Sequence, residues 1–499
     1  MNFISTRNKH KTVSGAAAIA EGLAPDGGLY VPESFPAVSL SEIAALIGMD
    51  YPARAADIIG RFLPDCPPAV LLGMAEEAYA RFDGDPAPLV KTEAGVYVLE
   101  LWHGPTGAFK DIALTLLPRL LTQSKALLKK TEKTLILVAT SGDTGKAALE
   151  GFRDVPGADI LVLYPDEGVS ALQKRQMTTQ EGGNVAVAAV RGNFDDAQTA
   201  VKRIFTDPDM IAGLKRYGYA LSSANSINFG RLVPQIVYYF SAYADLLDEK
   251  QIRPGERVDF CVPSGNFGNI LAGYYAKRMG LPVGRLLCAS NKNKVLTDFL
   301  TTGVYQADRP FYKTSSPSMD ILISSNLERL LFEISGRDDA RTAARMDSLS
   351  KTGRYEVTPP ELAALKELFY AGYAGEEAVF DTISGYFDET GYVLDPHTAV
   401  AMAVFKAYET QKAGNNQTVV LSTASPYKFA ADVLRALGEP VPADDFKALA
   451  ALEDATALPV PDALSALRTK PARHTAVIDR EGAADFVLGY AAERGQIVG

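Results

Sequence analysis

Short apolar runs alternate with helical patterns along most of this chain, and their alternation points to a class of fold before any chemistry is considered. From about residue 134 onward, runs rich in β-branched and aliphatic residues recur: "TLILVAT", "DILVLYP" and "NVAVAAV", later "RVDFCVP", "RLLCASN" and "TVVLSTA". Each is nearly continuously apolar and is followed by a loop and then by a helical pattern. A strand that is apolar on both faces must be covered on both, which is the habit of parallel strands in βα units. The reading is an α/β protein with helices on both faces of mainly parallel sheet. Residues 1 to about 95 differ, mixing helical patterns such as "PAVLLGMAEEAYARF" with the Pro/Gly punctuation of "LAPDGGLYVPESFP", and read as a mostly helical N-terminal section. From about 436, the Pro-rich connectors "EPVPADDF" and "ALPVPDAL" set off a C-terminal appendage.

Composition narrows the partners. With 499 residues, 47% of them hydrophobic, the chain has ample material for large cores, and a formal net charge of -10 opposes binding to nucleic acid. An anionic substrate would have to be held by local donors and cations against that field. The three cysteines, Cys66, Cys261 and Cys288, are widely spaced with no CxxC pair, which indicates neither a disulfide framework nor a metal cluster and suits a reducing cytoplasm. No apolar leader and no run long enough to span a bilayer is present, so a soluble protein without membrane attachment is expected.

Ligands of open α/β sheets bind beyond the carboxyl ends of the strands. Three loops stand there. The first, "ATSGDTGK", carries Thr140, Ser141, Gly142, Asp143, Thr144 and Gly145 into a helix, where small residues and unpaired N–H groups suit a carboxylate or phosphate. It lacks the spacing of a Walker A loop. The second runs from Ser264 through Gly265, Asn266, Phe267, Gly268 and Asn269 into another helix, and suits one phosphate better than a pyrophosphate. The third, "LSTASPYKF", puts the neutral hydroxyl of Thr423 at a strand end. Each alone is also what an ordinary capped turn looks like. Upstream, "LWHGPTGAFKD" places Lys110 just after turn-forming residues, at the start of a helical pattern. A lysine amine, a carboxylate loop, a phosphate loop and a neutral hydroxyl together match the needs of pyridoxal phosphate, which has an aldehyde, one phosphate and a ring nitrogen.

These segments, with "SANSINFGRLVPQ", "SSPSMDILISSNLERL", and "STRN" followed by "GLAPDGGLYVP", resemble the threonine synthase family, in particular its long bacterial and fungal form, from near residue 1 to about 430. The resemblance implies a fold type II pyridoxal-phosphate enzyme with its cofactor in a cleft between two α/β domains. It divides the chain at 1–95, 96–240, 241–435 and 436–499. It makes Lys110 the Schiff-base lysine, puts Gly265 to Asn269 around the cofactor phosphate, and puts Thr423 against the pyridine nitrogen. Thr140 to Gly145 would hold the substrate carboxylate, with Asp143 on the cofactor's O3′ side, where related enzymes carry Asn. The implied reaction converts O-phospho-L-homoserine and water to L-threonine and phosphate, in a monomer or homodimer. The alternative is a phospho-lyase or amino-acid dehydratase on the same scaffold, releasing a 2-oxo acid. The substrate phosphate needs a second anion site, for which Asn228 and Arg231 are the candidates, with Lys146 and Lys428 behind them. Two positions depart from the family pattern: Gly107, where many members carry a larger apolar residue, and Ser425, where many carry His. His103 beside Trp102 reads as structural. A hydrolase pair of Ser141 with His397 finds no GxSxG around it.

Overall fold

A computed structural model describes residues 1–140, 142–167, 169–412 and 414–495. Two largely parallel sheets carry the fold. The larger has six strands in the order Phe369–Tyr373, Val283–Ser290, Val258–Pro263, Gln417–Ser422, Tyr97–Glu100, Leu89–Lys91, and only the last is antiparallel to its neighbour. The smaller has five parallel strands in the order Ala476–Ile478, Val185–Val190, Ala158–Pro165, Lys133–Ala139, Tyr219–Ser222. All six apolar runs read from the sequence are parallel strands. The central ones, Val258–Pro263 and Ala158–Pro165, are buried at every residue, which is why they show no alternation.

The strand Tyr97–Glu100 pairs with Gln417–Ser422 in the larger sheet, whereas Lys133–Ala139 belongs to the smaller one. Residues 96–240 therefore contribute to both sheets. The N-terminal residues hold four helices, as their periodicity predicts, and also a three-stranded antiparallel sheet of Asn8–Ser14, Asn2–Ser5 and Tyr30–Pro32. Two of its strands have only four and three residues, and the third, "NKHKTVS", is mostly polar, so alternation could not announce them.

The residues beyond 436 serve both halves. The helix Asp445–Thr456 packs through Leu449 and Leu452 into the core of the larger sheet, and Ala476–Ile478 adds an edge to the smaller. Ala483–Arg494 then closes the smaller sheet's core with Val487 and Ala491. The 20-residue helix Phe229–Asp248 is buried nearly all round, as its lack of a polar face requires, and packs against the helices Tyr51–Gly60, Lys110–Leu114 and Gly268–Met279. None of the described helices is long and apolar enough to cross a membrane.

Candidate functional site

The carboxyl ends of strands from both sheets open on one cleft of about 1160 Å3, lined among others by Lys110, Thr140, Arg231, Gly265, His397 and Thr423. The sequence thus supplies its candidate groups from separate segments, and the two sheets bring them to a common space.

Lys110 begins the helix Lys110–Leu114, and the turn before it is set by Gly107, whose φ of 68° favours glycine. The turn is tied to the strand end after Gln417–Ser422: Ser425 N–H donates to the Gly107 carbonyl at 2.9 Å and Phe109 N–H to that of Thr423 at 2.9 Å. The amine of Lys110 donates to Ser318 Oγ at 3.1 Å and lies 3.9 Å from Asp143 Oδ2. Burial pulls its pKa below the ordinary lysine value, and the nearby charges of Lys428 and Arg231 act the same way while Asp143 opposes them.

In the second loop the helix Gly268–Met279 starts from Phe267, which sits in the left-handed region at φ 62°, and among the described residues no side chain caps its first N–H groups. That leaves them for an anion. Gly265 leaves no room for a side chain: a Cβ there would lie 2.8 Å from the Ser318 carbonyl oxygen. The loop is pinned from behind, with Ser324 Oγ donating to the Gly265 carbonyl at 2.7 Å and Asn326 N–H to that of Asn266 at 3.1 Å. Buried Asn269 accepts from Tyr238 at 2.6 Å and Tyr239 at 3.0 Å through Oδ1, while its Nδ2 has no protein partner among the described residues.

In the first loop Thr140 Oγ1 accepts from the N–H groups of Gly142 and Gly145, holding the turn into Asp143–Phe152, and Thr144 lines the cleft. Ser141 lies outside the described residues. Asp143 meets Lys428 at 2.7 Å. Burial alone would raise its pKa, but Lys428 and Lys110 outweigh burial and hold the carboxyl below its usual range.

The remaining candidates divide. Thr423 is buried and lines the cleft at the end of its strand. Asn228 also lines it, but its side chain is spent: Oδ1 caps Gly230 N–H at 2.8 Å and Nδ2 donates to the Ile19 carbonyl at 3.0 Å. Arg231 is buried, donates once to the Ala224 carbonyl at 2.9 Å, has no carboxylate partner among the described residues and leaves Nε without an acceptor. Burial lowers it to about 10, so it remains charged near neutrality. Lys146 turns away to Glu150 at 3.0 Å and Gln180 at 2.5 Å. Lys428 is committed to Asp143 and to the Thr106 carbonyl at 2.9 Å. His103 binds Glu100 at 2.7 Å and stacks on Trp102.

Two cleft residues had no role in the sequence reading. Ser318 comes from the short 3-10 turn Pro317–Met319, and His397, weighed above only as a hydrolase partner, accepts from Ser318 N–H at 3.2 Å. "SSPSMD" and "DPHTA" carried that signal, but nothing in their spacing says that they meet.

Residues 2–79 match the model of the threonine synthase N terminus, 83–424 that of pyridoxal-phosphate dependent enzymes, and 398–487 that of the threonine synthase C-terminal family. Threonine synthase of Pseudomonas aeruginosa is 41% identical over 431 residues, covering 86% of this chain and 89% of that one. The chain belongs to the threonine synthase family. It is also 41% identical over 455 residues to threonine synthase-like 1 of Macaca fascicularis, where the match takes in 87% of this chain and 60% of that protein. The pyridoxal phosphate-bound crystal structure of threonine synthase from Brucella melitensis superposes with a TM-score of 0.89 at 38% identity, over 99% of this chain and 100% of that one. The fold is thus the fold type II architecture that the motifs implied. The two departures from the family pattern, Gly107 and Ser425, prove to be neighbours. A Cβ on Gly107 would lie 3.4 Å from that of Ser425, and the two share a backbone hydrogen bond. They reshape one spot beside Lys110 rather than two.

Proposed function

We propose that this protein converts O-phospho-L-homoserine and water to L-threonine and inorganic phosphate, with pyridoxal phosphate as cofactor. The site suits that group. The uncapped N–H groups at Gly268 and Asn269, the close backbone at Gly265 and the unpartnered Asn269 Nδ2 make a neutral cradle for one phosphate, with Phe267 and Asn266 shaping the loop. Lys110 would attach to it, Thr423 would meet its ring nitrogen, and Asp143 would face its O3′ side. When bound, pyridoxal phosphate supplies the electron sink that stabilises negative charge on the substrate carbons.

The chain's own residues do the rest. Lys110, desolvated and with a lowered pKa, can take the substrate's Cα proton and return a proton later. The loop of Thr140, Ser141, Gly142, Asp143 and Thr144, at the start of Asp143–Phe152, would hold the α-carboxylate: Thr140 Oγ1 braces it by accepting from Gly142 and Gly145, which leaves the N–H groups of Asp143 and Thr144 at the helix start to donate. Arg231 carries the substrate reading. A buried guanidinium with a free Nε in a cleft that already has a phosphate cradle marks a second anion site, and its charge would bind the leaving phosphate. Asn228 would serve it by capping the helix on which it stands. A reducing cytoplasm suits the three cysteines, which are free and buried.

The test is incubation of the holoenzyme with O-phospho-L-homoserine and identification of the amino acid alongside released phosphate. Threonine in step with phosphate is expected, and Lys110→Ala should abolish both the product and the visible absorbance of the attached cofactor. Phosphate accompanied by 2-oxobutyrate would transfer the function to a lyase on the same scaffold.

A further inference from the structure

We propose that Asp395, His397 and Ser318 form a clamp of positioning residues that sets the direction of the Lys110 amine; the proposal rests on the role given to Lys110 above. The Ser318 backbone N–H can only donate, so His397 Nε2, 3.2 Å away, must present a lone pair. The imidazole proton then sits on Nδ1 and is donated to Asp395 Oδ1 at 2.9 Å. Asp395 is itself fixed as the N-cap of Pro396–Glu409, accepting the N–H groups of His397 at 2.9 Å and Thr398 at 3.2 Å. His397 and Asp395 are buried, and the imidazole packs against Phe429 at 4.9 Å. A buried aspartate thus fixes a histidine tautomer, and the histidine fixes a turn.

What the turn holds gives the clamp its purpose. Ser318 touches both ends of the candidate cofactor site: its carbonyl closes on Gly265 in the phosphate loop, and its hydroxyl accepts from Lys110 Nζ at 3.1 Å. The hydroxyl proton is then free for Asp143 Oδ2 at 3.4 Å. A neutral amine has two N–H bonds and one lone pair, so the hydrogen bond from Nζ to Ser318 occupies one of three directions and confines the lone pair to the other two when Lys110 acts as a base. The other charged groups acting on the amine, Asp143, Lys428, Arg231 and Asp111, change its affinity for protons but give it no such direction.

The experiment has two readouts. In the 15N-histidine-labelled holoenzyme, the His397 signal, identified by its loss in His397→Gln, should show a proton on Nδ1 and none on Nε2 near neutral pH. A proton on Nε2 would overturn the clamp whether or not the cofactor reading stands. In kinetics, Ser318→Ala should lower kcat about 10- to 100-fold with KM changed less than about 3-fold, and should move the pH midpoint of the visible band. Ser318→Thr, which keeps the hydroxyl, should restore much of the rate. Asp395→Asn preserves a capping side chain and so the helix, and should lower kcat in the same direction. Unchanged kcat and band midpoint in Ser318→Ala would also overturn the proposal. A wild-type protein with neither band nor turnover would instead sink the role of Lys110, leaving the tautomer to decide the clamp.

Discussion

Two aspartates stand near Lys110, Asp111 fully buried and Asp143 nearly so, and the same interior pushes them in opposite directions. Asp143, at the start of its helix, is held below the usual carboxylate range by Lys428 at 2.7 Å and by the charge of Lys110, although burial opposes both. Asp111, next to Lys110 in sequence, accepts two good hydrogen bonds from Thr106, N–H at 2.8 Å and Oγ1 at 2.6 Å, and makes no ion pair among the described residues. Burial dominates there and raises it to about 6. Hydrogen bonds from neutral donors do not replace a contacting cation once water is gone. The chain therefore keeps a fixed charge where the cofactor ring is proposed to lie, and a carboxyl that titrates one layer behind.

Lys428 joins the two regions, since it pairs with Asp143 and also donates to the Thr106 carbonyl. Lys428→Met should be the most damaging change, because it makes Asp143 resemble Asp111: a buried carboxylate without its contacting cation. Breaking one side of such a pair costs about 3–5 kcal/mol. In the cofactor-free protein Lys110 at 3.9 Å offsets part of that, so a loss near the lower end is expected in its denaturant titration, together with a fall in kcat of the holoenzyme. Unchanged stability would mean that Lys428 is not what keeps Asp143 charged. Asp143→Asn should cost less, about 1–2 kcal/mol, because Lys428 keeps the Thr106 carbonyl as an acceptor.

Much of this was legible in the sequence, and the rest was hidden for a definable reason. Six of the parallel strands were visible because burial on both faces writes itself as continuous apolar runs. The Gly-rich loop before Gly268–Met279 and the helix start at Lys110 were visible because small residues before a helix start form a local pattern. Pairing was not visible. Asp143 with Lys428, and Ser318 with His397, are separated by hundreds and tens of residues respectively, and meet only because the strand ends converge. Asn228 illustrates the converse: its place in "SINFGR" suggested a ligand, whereas locally it is a helix cap. Tyr97–Glu100 is not among the runs read as strands, and one of its two partners, Gln417–Ser422, lies more than three hundred residues away.

The smallest effect is expected at Asp111, and it tests the other half of the comparison. Its pKa in the fold, about 6, lies above the ordinary 3.8, so between those values the folded protein binds more protons at this group than the unfolded chain does. Stability from this group is therefore present in acid and is lost as pH rises from about 4 to about 6. Asp111→Asn removes that titration while leaving one carbonyl to accept from Thr106, so its stability above pH 6 should lie within about 1 kcal/mol of wild type. Urea titrations across the acid range should show the variant losing ground to wild type as pH falls through the window and recovering it as pH rises. A flat difference curve would mean that Asp111 keeps its ordinary pKa in the fold, the hydrogen bonds from Thr106 and the charge of Lys428 together offsetting burial.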